Sequence, residues 1–173
     1  SVGIESLEKW YRIYDKESAE YQIIRAALEK GKGNRLNAAR AYKEGALKVK
    51  DDYEQSSLIL RKAMIEYAHA GEWKEAVELL DENPELETLL TQRFQLYLRT
   101  CADNTAGNTV SATKSLIQFV SDEERKEGEE YDSDFNKRRK EALELIQKYP
   151  DEHNLPDKNF KGRVKAAIKT LEK

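Results

Sequence analysis

Histidine and cysteine, the side chains that most often bind metals or act as nucleophiles, are rare in this sequence. His69 and His153 are far apart, and neither has neighbours at a metal-ligand spacing. His69 falls near the predicted end of a helix, where a protonated imidazole would interact favourably with the helix dipole. Cys101 follows an apolar helical face, which favours a buried structural thiol over a reactive one. We therefore predict no metal site and no cofactor.

Two further patterns bear on catalysis. Gly31-Lys32-Gly33-Asn34 precedes a predicted helix and could hold a phosphate at the helix N-terminus. The run lacks the Gly-Lys-Ser/Thr ending of a P-loop, and no predicted strand precedes it, so a plain turn between helices fits better. Glu72, Glu75 and Glu78 have the spacing of a solvated helix face, and nothing marks two of them as an acid–base pair. We predict that the chain is not an enzyme.

Charge is unevenly distributed along the chain, although the formal net charge is only −3. Residues 61–135 carry 8 basic and 17 acidic side chains, whereas residues 136–173 carry 11 basic and 6 acidic ones. Such residues commonly coat the solvent-facing sides of helices. The alternative is a basic patch that meets an acidic ligand such as RNA. Its candidate residues are Arg35, Arg40, Lys43, Lys137, Arg138, Arg139, Lys140, Lys161, Arg163 and Lys165.

Composition narrows the class of protein. The chain has 173 residues, about the size of one domain, and 39% of them are hydrophobic, enough for a core. A single cysteine excludes an internal disulfide. No run of about 18 apolar residues is present, so we expect no membrane insertion. We expect an intracellular, cytoplasmic protein.

Apolar residues recur at three- and four-residue steps through most of the chain, which predicts helices. Strand-like alternation is absent from the sequence, so we predict an all-α fold. Asp51 or Asp52 is predicted to cap one helix and Asp157 the last one. Ser121, with Glu124 three residues later, has the pattern of a helix start. The strongly acidic connection over residues 122–134 contains Gly128, and we expect a loop or a weak helix there.

A spaced pattern of glycine, alanine and a larger residue recurs in the chain. It reads Gly-x4-Ala-x3-Tyr/Leu, and it occurs at Gly33/Ala38/Tyr42, Gly71/Ala76/Leu80, Gly107/Ala112/Leu116 and Gly162/Ala167/Leu171. Glycine permits a tight reversal between antiparallel helices, alanine lets the helices approach, and the larger residue fills the groove between them. Gly162 falls inside a predicted helix, so we discount the fourth match.

This pattern resembles the tetratricopeptide repeat, a helix–turn–helix unit of about 34 residues. The best match is Tyr67-x3-Gly71-x4-Ala76-x3-Leu80, followed by Pro84. The preceding helices lack the Trp-Leu-Gly pattern of the family, and the spacing exceeds 34 residues. The resemblance covers about residues 17–121 and implies that stacked repeats form a short α-solenoid there. Apolar periodicity predicts a helical pair over 135–173, and we expect a single all-helical domain over residues 1–173. The alternative is an irregular helical bundle.

The resemblance also implies a function. Tetratricopeptide arrays bind an extended peptide or a partner helix in a groove, so we expect a protein–protein interaction or scaffold module. Carried onto this sequence, the groove would be lined by Leu58, Arg61, Lys62, Ile65, His69, Phe94, Tyr97 and Cys101. A groove of this mixed character suits an acidic–hydrophobic peptide. RNA binding or ribonucleoprotein assembly, and a structural subunit of a larger or viral assembly, remain alternatives.

Overall fold

The computed structural model describes residues 2–124 and 133–173, and these residues form an all-α structure with no strand among them. The chain divides into two compact units, Ser1–Thr91 and Gln92–Lys173. Because the described elements are all helices, the all-α prediction is confirmed. None of the described helices is long and apolar enough to cross a lipid bilayer.

The described residues of the first unit form five α-helices and one 3₁₀ helix. They are α1 (Val2–Ile13), α2 (Ala19–Gly31), α3 (Arg35–Lys48), α4 (Tyr53–His69), α5 (Trp73–Glu82) and the 3₁₀ helix (Pro84–Leu89). Each helix from α1 to α5 packs against its neighbour in sequence, and the 3₁₀ helix packs against α4 and α5. Pro84 stands at the start of the 3₁₀ helix, where its missing N–H breaks no hydrogen bond.

The second unit is organised around its last helix. Its elements are α6 (Gln92–Thr105), α7 (Thr109–Glu124), α8 (Ser133–Ile146), α9 (Tyr149–Glu152) and α10 (Lys158–Leu171). Helix α10 contacts α6, α7 and α8, while α7 packs against both α6 and α8.

Three helix–turn–helix junctions share one turn geometry. Gly33, Gly71 and Gly107 have φ values of 82°, 75° and 85°, the left-handed region that suits glycine. At each turn the glycine N–H bonds the carbonyl three residues back, and the next N–H bonds the carbonyl five residues back. This is the Schellman ending of a helix. The junctions join α2 to α3, α4 to α5 and α6 to α7, and Gly162 lies inside α10 as expected.

The other positions of the pattern are core positions. Ala38, Ala76 and Ala112 are fully buried, so each allows two helices to pack closely. Tyr42, Leu80 and Leu116, the larger residues of the pattern, are also buried.

Helix ends agree with the sequence at some positions and correct it at others. Asp52 caps α4, and its carboxylate accepts a hydrogen bond from the Gln55 N–H at 3.1 Å. Asp157 precedes α10 but makes no capping hydrogen bond with its side chain, and instead forms an ion pair with Lys161 at 2.6 Å. Ser121 does not start a helix.

Ser121 lies within α7, which continues to Glu124. Its hydroxyl donates to the Ile117 carbonyl at 2.7 Å, the bond of a serine inside a helix. Of the predicted acidic connection, residues 125–132 lie outside the described part of the chain, and residues 133–134 begin α8.

A buried carboxylate connects the first helical hairpin to α4. Glu66 is almost fully buried, and its carboxylate forms ion pairs with Arg35 at 2.8 Å and Lys30 at 3.5 Å. Both cations lie beside the Gly33 turn, one at each side. A buried charge is tolerated only when it is paired, so this contact fixes the α2–α3 turn against α4.

Candidate functional site

The predicted groove residues of α4 lie on one side of that helix. Leu58, Arg61 and Lys62 are exposed, while Ile65 and His69 are half-buried. The Arg61 Nε–H donates to the Leu89 carbonyl at 3.0 Å, so this guanidinium joins α4 to the 3₁₀ helix. Lys62 places its ammonium 6.0 Å from the centre of the Tyr42 ring, within the range of a cation–π contact.

The predicted groove residues of α6 lie in the core of the second unit. Tyr97 is fully buried, and its ring packs against Tyr149 and Phe160 at centroid distances of 5.9 Å and 5.3 Å. Its hydroxyl donates to the Pro156 carbonyl, which ties α6 to the loop before α10. Phe94 is also buried. These side chains pack the interior of the unit and do not line its surface.

Cys101 has the environment of a structural thiol. It is fully buried on α6, and burial raises its pKa to about 12, although a hydrogen bond with Tyr97 lowers it in part. A thiol with this pKa is neutral at physiological pH and therefore a poor nucleophile. Among the described residues, no group of three or more His, Cys, Asp or Glu side chains could hold a metal ion.

The opposite face of α6 forms an open groove with α7. The groove has a volume of about 840 Å³. Its lining residues are Gln92, Gln95, Leu96 and Arg99 from α6 and Lys114, Ser115, Ile117, Gln118 and Phe119 from α7. The α6 residues recur at steps of three and four, which places them on one side of the helix. We call this surface the α6–α7 groove.

The lining of the α6–α7 groove combines apolar surface with positive charge. Leu96, Ile117 and Phe119 supply apolar atoms, and Arg99 and Lys114 supply two cations. No carboxylate is present among its described lining residues. The remaining lining is mostly amide side chains, which can both donate and accept hydrogen bonds. The arrangement is suited to an extended ligand with apolar and acidic groups.

The α6–α7 groove lies on the side of α6 opposite the apolar stripe from which the groove residues Phe94, Tyr97 and Cys101 were predicted. Apolar residues at helical spacing mark the side that packs in the core, so Phe94, Tyr97 and Cys101 face inward. The groove face carries Gln92, Gln95 and Arg99 instead. The feature of the sequence that could have indicated the groove is this polar side of α6, on which Leu96 is the one apolar residue of the described lining.

The candidate basic residues do not form one uniform surface. In the first unit, Arg35 is paired with buried Glu66, whereas Arg40 and Lys43 are exposed. In the second unit, Lys161 forms ion pairs with both Asp151 and Asp157 at 2.6 Å.

Arginines of α8 are also engaged within the second unit. Arg138 and Arg139 place their guanidinium carbons 5.7 Å and 5.2 Å from the centre of the Phe135 ring. Arg139 is buried, and Lys140 and Arg163 are half-buried. Lys137 and Lys165 are the exposed members of the set in this unit.

Two carboxylates at the start of α5 interact with each other. Glu72 has a raised pKa, first because of partial burial and then because of the charge of Glu75 and a hydrogen bond with it. Arg40 lies nearby and partly offsets this effect. Their spacing predicted a solvated helix face for both residues. In the structure they lie together at the N-terminus of α5.

Comparisons with known proteins return no match of any kind. No protein-family model, no curated protein and no solved structure matches the chain significantly. The tetratricopeptide resemblance is therefore carried by the Gly-x4-Ala-x3 spacing and by the three shared turns alone.

Proposed function

We propose that this chain is a non-enzymatic interaction module whose second unit binds an acidic–apolar peptide segment of a partner protein. The observation that carries the proposal is the α6–α7 groove, an open surface with apolar atoms, two cations and no carboxylate among its described lining residues. Its shape suits an extended chain better than an enclosed small molecule, because ligand sites for small molecules bury most of the ligand surface.

The groove offers each kind of contact that peptide recognition needs. Ile117 and Phe119, which are half-buried, would cover apolar side chains of the peptide, whereas Leu96 is buried and adds little exposed area; this apolar contact supplies most of the affinity. Arg99 and Lys114 would attract its carboxylates, which mainly raises the association rate and fixes the orientation. The Gln amides can bond the peptide backbone.

The chemistry of the groove supports a binding role over a catalytic one. Its described lining contains no histidine, cysteine or carboxylate, the groups that most often act as general bases or nucleophiles. Cys101 is buried with a raised pKa.

We also propose that the three helical hairpins are tetratricopeptide-like units. The support is local: the same glycine conformation, the same pair of turn hydrogen bonds and a fully buried alanine recur in all three. Small-angle X-ray scattering would test the stacking, because a short solenoid and a compact bundle of equal mass differ in maximum dimension.

The basic residues favour the peptide proposal over RNA binding. Phosphate binding needs several cations that can contact a backbone at once. Arg35 and Lys161 are instead engaged by carboxylates, and Arg138 and Arg139 lie against the Phe135 ring.

The test is fluorescence anisotropy with a labelled, terminally blocked peptide that alternates Glu with Leu and Phe. We expect saturable binding, and we expect the double reversal Arg99→Glu/Lys114→Glu to weaken it severalfold, by up to about 25-fold, because each rim ion pair contributes up to about fivefold. The same peptide with Gln in place of Glu should bind more weakly to the unaltered chain.

Two controls define failure. Lys165→Glu changes an exposed cation of α10 outside the groove and should leave the affinity unchanged. Equal weakening by Lys165→Glu would mean that net charge alone drives binding. Tight, steeply salt-dependent binding of a generic RNA, with no peptide binding, would replace the proposal with the nucleic-acid alternative.

A further inference from the structure

A small cavity in the first unit lies between the start of α4 and the 3₁₀ helix. Its volume is about 220 Å³, below the roughly 300–1,000 Å³ of small-molecule sites. It therefore has room for one long side chain rather than for a cofactor. Its lining residues are Tyr53, Glu54, Ser57 and Leu58 from α4 and Glu85, Thr88 and Leu89 from the 3₁₀ helix.

The 3₁₀ wall of this cavity is held in place by several contacts. Arg61 bonds the Leu89 carbonyl at 3.0 Å, and the Thr88 hydroxyl donates to the Glu85 carbonyl at 2.8 Å. Leu86, in the same helix, is fully buried. Because these contacts fix the wall before any ligand arrives, binding loses little conformational entropy on the protein side.

Two large apolar side chains are exposed at the cavity. Tyr53 is 64% exposed and Leu58 is 46% exposed. Both sit in the same concave surface, so a ligand side chain that entered it would cover both at once and remove their apolar area from water.

The cavity is acidic. Its ionisable groups are the carboxylates of Glu54 and Glu85 and the phenol of Tyr53, with no Lys, Arg or His among the described lining residues. Tyr53 has a raised pKa, first through desolvation and then through the charge of Glu85 and a hydrogen bond with it. The phenol therefore stays neutral. Besides Glu85, the neighbouring stretch 72–87 carries six acidic residues and one basic residue, which add to the negative field.

We propose that this cavity binds a lysine or arginine side chain from a basic peptide segment of a partner protein. The aliphatic stem would pack on Leu58 and Leu89, as such stems do on apolar surfaces. The cationic head would lie at the face of the Tyr53 ring, between the two carboxylates. This site takes the opposite charge to the α6–α7 groove, and it does not depend on the function proposed for that groove.

The test uses the full-length chain labelled with ¹⁵N and three terminally blocked tripeptides. Lys-Leu-Lys and Arg-Leu-Arg carry the charge, and norleucine-Leu-norleucine keeps the stem of lysine without it. We expect saturable amide shifts over residues 53–58 and 85–89 with the charged tripeptides only. The stronger of the two identifies the preferred head group, and a flat, stacking guanidinium favours arginine.

Variants then locate the contacts. Tyr53→Leu and Glu85→Gln should each weaken binding about two- to fivefold. Glu82→Gln removes an equal charge from an exposed carboxylate of α5 outside the cavity, and it should weaken binding clearly less than Glu85→Gln does. Because Tyr53 is largely exposed, Tyr53→Leu should keep the fold.

Several results would overturn the proposal. Equal shifts with the norleucine tripeptide would show that the cavity recognises the stem and not the charge. Equal weakening by Glu82→Gln, or shifts confined to other residues, would show non-specific attraction. Shifts at the cavity that grow with protein concentration in the absence of any tripeptide would assign it to a second copy of this chain.

Discussion

The two units fill their cores with different side chains. Half of the buried apolar residues described in the first unit are alanines: Ala19, Ala26, Ala38, Ala39, Ala41, Ala46, Ala63, Ala68 and Ala76. Among the described residues of the second unit, the buried alanines are Ala112 and Ala167, and the core is instead rich in aromatic rings: Phe94, Tyr97, Phe135, Tyr149 and Phe160. One unit is stabilised by close helix–helix approach and the other by large side chains.

The close approach in the first unit is visible where α2 meets α3. Gly45 has no side chain, and a Cβ placed there would lie 3.3 Å from the Cβ of Gln22. In the second unit, the Tyr97 ring and hydroxyl reach both α10 and the loop before it. Small residues bring backbones together, whereas large residues span wider gaps, so the same turn serves two kinds of packing.

The two units also differ in the charge of their candidate ligand sites. The cavity beside α4 is lined by two carboxylates, and the α6–α7 groove by two cations. Residues 1–91 carry 14 basic and 18 acidic side chains, and residues 92–173 carry 16 and 15. The charge contrast between the two linings is far stronger than the net charges of the two units suggest, because it depends on which side chains line each surface.

The largest expected effect comes from opening the aromatic core. Phe160→Ala leaves a cavity against Tyr97 and should lower the free energy of unfolding by about 3–5 kcal/mol. Urea denaturation followed by circular dichroism measures the loss. Tryptophan fluorescence follows the first unit alone, because Trp10 and Trp73 both lie there.

A matched control for this substitution is Lys165→Ala, an exposed position of the same helix, which should change stability little. A loss below about 1 kcal/mol for Phe160→Ala would contradict the packing described for α10. An equal fall of the fluorescence midpoint would show that the two units unfold together.

The next effect comes from overfilling the alanine core. Ala38→Leu adds three carbons at a fully buried position of α3, and we expect a loss of about 1–3 kcal/mol through displaced neighbours. Tryptophan fluorescence in urea measures it. Asn37→Leu adds a leucine at the exposed neighbouring position and should cost much less. If both variants are equally stable, the core of the first unit has spare volume. That result would contradict the contrast between a closely packed alanine core and an aromatic core.

The smallest expected effect is on the pH dependence of stability, in which Glu72 of the first unit and Asp157 of the second unit act in opposite directions. The pKa of Glu72 is raised in the folded chain, so Glu72 stabilises the fold most below pH 4.5, the ordinary pKa of a glutamate. This stabilisation is lost as pH rises through the pKa of Glu72 in the folded chain. The pKa of Asp157 is lowered by the hydrogen bond from Lys161, so its contribution is present above 3.8 and is lost as pH falls through the folded value.

Urea midpoints across a pH series test this pair of signs. Glu72→Gln should flatten the dependence just above pH 4.5, and Asp157→Asn should flatten the loss below pH 3.8. If the pH profile of a variant equals that of the unaltered chain, the replaced residue does not contribute to the pH dependence of stability.

Local patterns predicted the helices and turns well. The turn glycines were recognisable because only glycine adopts their left-handed conformation at no cost, and the alanine five residues later follows from helix geometry. Boundaries set by competing local signals were less reliable: Ser121 and Glu124 have the residue types of a capping box, yet α7 runs through them. Val120 and Ser121 are both buried, so tertiary packing stabilises the continuation of α7 through these positions.

The proposed binding surface was the least predictable part. On α6 the sequence offered an apolar stripe, and the stripe is the core face, so the groove lies on the polar side with Arg99. Likewise, Arg35 is indistinguishable by type from Arg40, but only Arg35 pairs with buried Glu66.

The sequence by itself determined that this chain is helical and where three of its reversals fall. These features depend on backbone conformation and on spacing within a few residues, which the order of amino acids specifies directly. Only the tertiary structure decided which charges are paired, which side of α6 is buried and where the two oppositely charged surfaces lie. Those depend on residues brought together from distant parts of the chain, and no local pattern records which side chains will meet.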